Sequence, residues 1–242
     1  MKKLFLVLAG CLTLTVACNL PISTPTVESP LSQTPLSSPE AEPTPQASPI
    51  PTPKPTSLYF TEDFDAASPY WVFIQIGGAQ PAATSVQNGA LQIAASAPDT
   101  WLVGIHNAHT YSNVFVRAVV LLTPGGSAGL ICRYSEKKGW YEFNAASDGT
   151  YSILLGQWLA PGVAKYIPII SDASSRLGGT QPIELGFFCR DGFLELYADN
   201  DLVRRYDATN YGLTEGNIGI TASSFAEVPM TVVFEWVSVS DK

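Results

Sequence analysis

Imidazole is scarce in this chain: His106 and His109 are its only histidines. No HExxH or CxxC pattern occurs, so a zinc site has no sequence support. Basic residues are also few, with 13 Lys and Arg against 21 Asp and Glu, a formal net charge of −8. An acidic chain is a poor partner for nucleic acid or an anionic membrane surface. From Leu58 onward no helix-period segment exceeds about two turns. A helical or α/β domain is thereby excluded.

What is present first concerns the amino end. Lys2 and Lys3 precede an apolar run from Leu4 to Val16. At about 13 residues the run falls short of the roughly 20 that cross a bilayer, so a cleaved signal is expected over residues 1–17. Thr15-Val16-Ala17-Cys18 resembles a bacterial lipobox, which implies lipidation of Cys18 and an exported chain anchored at the outer face of a bacterial membrane. Leu8-Ala9-Gly10-Cys11 matches the lipobox pattern more sharply but leaves a shorter apolar core, so Cys11 is the alternative and a plain secretory signal the bland one. Removing Lys2 and Lys3 with the signal leaves a net charge of −10.

Between Asn19 and Ser57, 11 of 39 positions are proline, with Ser, Thr and Gln filling the gaps. Proline removes donors and fixes φ, so residues 18–57 read as a lipidated cysteine and a disordered linker. A fully extended polyproline II stalk of that length reaches about 120 Å at about 3.1 Å per residue.

Residues 58–242 are long enough for one domain with a real core. Period-2 alternation dominates them. Strands are expected at Tyr59–Phe64, Trp71–Ile76, Leu91–Ala95, Trp101–His106, Asn113–Leu122, Gly129–Tyr134, Trp140–Ala145, Tyr151–Leu155, Ile183–Arg190, Phe193–Ala198, Leu202–Asp207, Gly216–Ser223 and Met230–Ser238. Asn88-Gly89, Asp148-Gly149 and Asp191-Gly192 are hairpin signals. Alternation places Leu185, Phe187 and Cys189 on one core face, Leu194 and Leu196 on another, and Val232, Phe234, Trp236 and Ser238 on a third. Many short strands with such turns give an all-β antiparallel sandwich or barrel.

Several segments narrow this further: Glu62-Asp63-Phe64 with Trp71, Val86-Gln87-Asn88-Gly89-Ala90-Leu91-Gln92-Ile93, Gly129-Leu130-Ile131-Cys132-Arg133-Tyr134, Trp140-Tyr141-Glu142-Phe143, Asp191-Gly192-Phe193-Leu194-Glu195-Leu196-Tyr197 and Val232-Val233-Phe234-Glu235-Trp236-Val237. In this order they resemble the concanavalin A-like (laminin G-like) jelly-roll superfamily, and within it bacterial 3-keto-disaccharide hydrolase-like domains. The resemblance implies a two-sheet antiparallel jelly roll over residues 58–242. That superfamily includes lectin-like modules, glycoside-cleaving enzymes and adhesion domains, so the fold does not choose a function.

Cys132 and Cys189 are the only cysteines of this domain, and an oxidising compartment favours their pairing over two reduced, buried thiols. The hydrolase-like resemblance implies a concave-face site of Glu142 and Arg133, which parity allows to meet as an ion pair. A glycosidase normally needs two carboxylates, and Glu142 has only Asp148 and Glu184 as guessed partners. The ExDxE motif of jelly-roll glucanases is absent. Trp158, in an expected loop, is the candidate for an exposed sugar-stacking ring, with Trp140, Tyr141, Tyr151 and Arg133 as further ligand-binding candidates. Trp101, Tyr111 and Tyr166 share that central aromatic region. Asp63, Asp65 and Glu235 sit on the first and last strands and are candidate ligands of a structural calcium ion, or plain surface acids. His106 and His109 read as loop residues. No other cofactor is implied. The leading expectation is a non-catalytic module that binds carbohydrate or another extracellular ligand; a glycoside hydrolase and a protein-adhesion module are the alternatives.

Overall fold

The computed structural model describes residues 57–242. Cys11, Cys18, the signal expected over 1–17 and the linker expected as far as residue 56 lie outside the described residues. Among the described residues, fifteen strands make two antiparallel sheets. The first sheet has the order β13-β12-β11-β6-β15-β4-β3, with β1 added beside β15. Its members are β1 (Phe60–Glu62), β3 (Ala83–Gln87), β4 (Ala90–Ala95), β6 (Val114–Leu122), β11 (Ile183–Arg190), β12 (Phe193–Ala198), β13 (Asp201–Asp207) and β15 (Met230–Ser240). The second sheet has the order β10-β9-β8-β7-β14-β5-β2. It consists of β2 (Trp71–Gly77), β5 (Thr100–Tyr111), β7 (Gly126–Ser135), β8 (Gly139–Ala146), β9 (Thr150–Ala160), β10 (Val163–Ala173) and β14 (Gly216–Ser224). The architecture is a concanavalin A-like jelly-roll sandwich.

Alternation builds the core. On β8, Tyr141, Phe143 and Ala145 face the first sheet; on β11, Leu185, Phe187 and Cys189 meet them. Leu194, Leu196, Val232 and Phe234 join the same buried layer. Cys132 on β7 and Cys189 on β11 form a disulfide between the two sheets, with Cα atoms 6.5 Å apart. The Asn88-Gly89 and Asp191-Gly192 turns both have positive φ at their two central residues, as primed hairpins require. Asp199-Asn200 makes a third such turn, without a glycine.

Four expectations need correction. The β15 parity does not run through: a bulge between Phe234 and Trp236 shifts the register, so Val237 and Val239 enter the core in place of Trp236 and Ser238. Strands β3 and β10 were not expected from the sequence. The stretch holding Trp158 is not a loop, because β9 continues to Ala160 and turns through Pro161-Gly162 into β10. His106 and His109 belong to β5, which runs on to Tyr111.

Candidate functional site

The outer face of the second sheet carries the chemistry. Period 2 along β8 turns Trp140, Glu142 and Asn144 to this face, opposite to Tyr141 and Phe143. The sheet curls until its two edge strands meet. Ile76 of β2 and Ala164 and Tyr166 of β10 pack in one cluster with Trp101, Tyr134, Trp140 and Trp158. Trp101 stacks on Tyr166 at 4.7 Å, and Trp140 lies 5.0 Å from Trp158. Gly156 makes room for this packing: a Cβ there would stand 2.2 Å from the Trp140 ring.

Glu142 is enclosed at the centre, 0% exposed. Its Oε1 accepts from the Trp101 indole N–H at 3.0 Å and the Asn144 amide at 2.7 Å, and its Oε2 accepts from the Trp140 indole N–H at 2.9 Å. Asn144 Oδ1 in turn accepts from the Thr221 hydroxyl at 3.2 Å and the Ser127 hydroxyl at 3.5 Å. The network ties β5, β7, β8 and β14 together. Burial pushes the Glu142 carboxyl above the usual carboxylate range, and the donors of Trp140, Asn144 and Trp101 oppose that shift. The Tyr166 hydroxyl is buried without a hydrogen-bond partner among the described residues, and burial followed by the Glu142 charge raises its pKa far above the usual phenol value.

The expected meeting of Arg133 with Glu142 does not occur. A β-bulge after Cys132 places Arg133 at φ 54° and carries its guanidinium to the end of the sandwich, beside Tyr141 and Asp191. There Nε donates to Ser112 O at 3.3 Å and Nη1 to Leu213 O at 2.8 Å. Neither guessed carboxylate partner faces Glu142 either. Asp148 accepts from Thr150 in the exposed β8–β9 turn, and Glu184 pairs with Arg117 at 3.4 Å on the first sheet.

The aromatic candidates divide. Tyr141 turns into the inter-sheet core and donates its hydroxyl to Ala208 O at 3.2 Å, so it presents no stacking face. Tyr151 also belongs mainly to that core, although it borders the groove described next. Trp140 is fully buried. Trp158 is half-buried, its indole N–H donating to Tyr134 Oη at 3.0 Å. Asp63, Asp65 and Glu235 do not come together: among the described residues no group of three or more His, Cys, Asp or Glu side chains gathers, although β1 does pair with β15.

Filling the centre leaves an opening at each end of the curl. One is a groove of about 740 Å³, walled by Trp101 and Tyr166, floored by Ser127, Asn144 and Ser152, and rimmed by Asp172 and the exposed Phe225. The other, about 540 Å³, lies between Tyr134, Trp158 and the β9–β10 turn. Sequence reasoning missed the first groove. Its walls come from strand positions whose exposure depends on the curl, and one wall lies on the unexpected β10.

The two-sheet antiparallel sandwich is a fold shared with solved structures. A Bacillus licheniformis beta-glucanase superimposes with a TM-score of 0.53 at 13% identity, covering 78% of this chain and all (100%) of that one. A glycoside hydrolase family 16 endo-glucanase from Bacteroides ovatus gives 0.53 at 7% identity, covering 75% and 99%. The metal-free carbohydrate recognition domain of Emp46p gives 0.52 at 10% identity, covering 76% and 96%. At these identities the likeness concerns the fold alone. No protein-family model and no curated protein matches the sequence.

Proposed function

We propose that this chain is a surface-tethered, non-catalytic binding module that takes a carbohydrate in the groove walled by the stacked rings of Trp101 and Tyr166. The observation that carries this reading is the groove itself. An aromatic wall stands over a floor of hydroxyl and amide groups, which suits the apolar faces and polar rims of sugar rings. The similar folds include two proteins named as glucanases and one named as a carbohydrate recognition domain. Cleavage of the 3-keto-disaccharide hydrolase type is the weaker alternative. Glycoside hydrolysis ordinarily uses an accessible pair of carboxylates, whereas Glu142 is sealed and is not joined by Asp148 or Glu184. Adhesion to a protein partner has no observation of its own.

Tethering rests on the sequence: a short signal, a lipid on Cys18 with Cys11 as alternative, and a proline-rich stalk at the outer face of a bacterial membrane. Mass spectrometry of the mature amino terminus tests it, and an amino terminus that is neither a lipidated Cys18 nor a lipidated Cys11, or an intact signal, would overturn it. For the groove, the full-length chain is screened on plant, bacterial and animal glycans, and hits are titrated calorimetrically. Phe225→Ala is expected to weaken a hit about tenfold, the loss of one stacking contact of about 1.4 kcal/mol. Silence across the screen, or hits indifferent to Phe225, would sink the sugar reading.

A further inference from the structure

Arg133 is 3% exposed, yet it has no acidic partner. The ion pairs among the described residues are Arg117–Glu184, Arg176–Asp201, Arg204–Asp172 and Arg205–Glu195. Buried charges are ordinarily paired, because taking a lone charge out of water is costly. A guanidinium has five N–H donors in a planar fork, and the two bonds to Ser112 O and Leu213 O use one on Nε and one on Nη1. One on Nη1 and both on Nη2 remain. Nη2 makes no bond among the described residues and is not among the buried polar atoms left without a partner, so it is the end of the fork that reaches open space.

That space is a separate cavity of about 270 Å³ at the end of the sandwich, lined by Asn113, Arg133, Asp191, Thr209, Leu213 and Thr214. The backbone is bent to put Arg133 there. Among the described residues other than glycine with positive φ, only Arg133 and Phe64 are not Asn or Asp. Such a conformation is strained, and it is held here by a bulge and two carbonyl contacts. Asp191 is the nearest acid in the cavity. Its Oδ1 accepts from the Asn113 amide at 3.1 Å, and it stays beyond ion-pair distance of Arg133.

We propose that this cavity binds the carboxylate of one acidic sugar residue, a uronic acid, on the Nη2 end of the Arg133 guanidinium. A planar fork matches a carboxylate in geometry and charge. The cavity is larger than a bare carboxylate, and the Thr214 hydroxyl with the second oxygen of Asp191 supplies a donor and acceptors for ring hydroxyls. A net charge of −8 disfavours a long polyanion, so a single acidic residue is the ligand. This site lies outside the Trp101–Tyr166 groove and stands independently of its assignment.

The test titrates the full-length chain with sodium glucuronate, glucose, sodium acetate and sodium sulfate, followed by calorimetry. Glucuronate is expected to saturate one site at least about tenfold more tightly than the other three. Arg133→Lys keeps a charge but loses the fork, and is expected to weaken glucuronate about tenfold. Because Arg133 also ties two loop carbonyls, Thr214→Val is made in parallel, and a several-fold loss is expected there. Phe225→Ala should leave glucuronate binding unchanged, so failure here and failure in the groove are told apart. Equal binding of glucose, equal binding of acetate or sulfate, no binding, or indifference to both Arg133→Lys and Thr214→Val would overturn the proposal.

Discussion

Trp101 donates its indole N–H to Glu142 at 3.0 Å although the two residues are 41 positions apart and two strands, β14 and β7, lie between theirs in the sheet. Only a strongly curled sheet brings them together. The bond therefore reports the curl, and the curl decides what the outer face can hold.

Replacing Glu142 with Leu would leave the N–H groups of Trp101, Trp140 and Asn144 buried without their acceptor. At about 1–3 kcal/mol for each stranded donor, the loss should exceed about 3 kcal/mol. Urea denaturation measures it; a loss below about 1 kcal/mol would mean that the network contributes little.

Gly156→Ala tests the packing beneath Trp140, since the added methyl would overlap the indole. Overpacking of this kind costs about 1–3 kcal/mol, and the ring can yield only towards Trp158 or Tyr166. A lower thermal midpoint together with a red shift in tryptophan emission is the expected outcome.

The disulfide joins strands of opposite sheets across a separation of 57 residues. Reducing it, or replacing both cysteines with serine, is expected to cost about 2–5 kcal/mol. Denaturation with and without reductant checks this. Equal midpoints in the two conditions would contradict it.

Acid should weaken the fold through His106, which is 1% exposed among the rings of Phe60, Tyr70 and Trp71. Burial, with His109 adding to it, pushes its pKa from 6.5 down to about 4. The unfolded chain takes up a proton at this position below about pH 6.5, whereas the folded one resists until about pH 4. Stability contributed by His106 is thus complete above pH 6.5 and lost as pH falls through that window, by about 3 kcal/mol. In His106→Phe the difference in stability between pH 7 and pH 4.5 should shrink.

The sheets were readable because most strands alternate cleanly and are closed by turns such as Asp191-Gly192. The missed strands have physical reasons. β3 is a short edge strand, Ala-Thr-Ser-Val-Gln, with no buried residue to mark a face. β10 carries Pro168, which argues against a central strand but is tolerated on an edge, where the lost donor faces no neighbour. Bulges were the other blind spot. One extra residue at Phe234–Trp236 and another after Cys132 reverse the parity beyond them, and no local composition announces either. This is why Glu142 was placed on the correct face while Arg133 was not. The groove was illegible for a larger reason, since the approach of β2 to β10 is a property of the whole sheet's curvature.

Strand β1 also determines how the domain bears load. Any pull on the chain's amino-terminal side reaches the sandwich through three paired residues, Phe60 to Glu62, and through the Tyr111 hydroxyl on Leu58 O at 2.7 Å. So short a ladder yields before the long central strands do. Under tension, β1 would peel from β15 first, giving the chain slack while the disulfide and the groove strands stay intact. It would act as a mechanical fuse where the chain enters the domain.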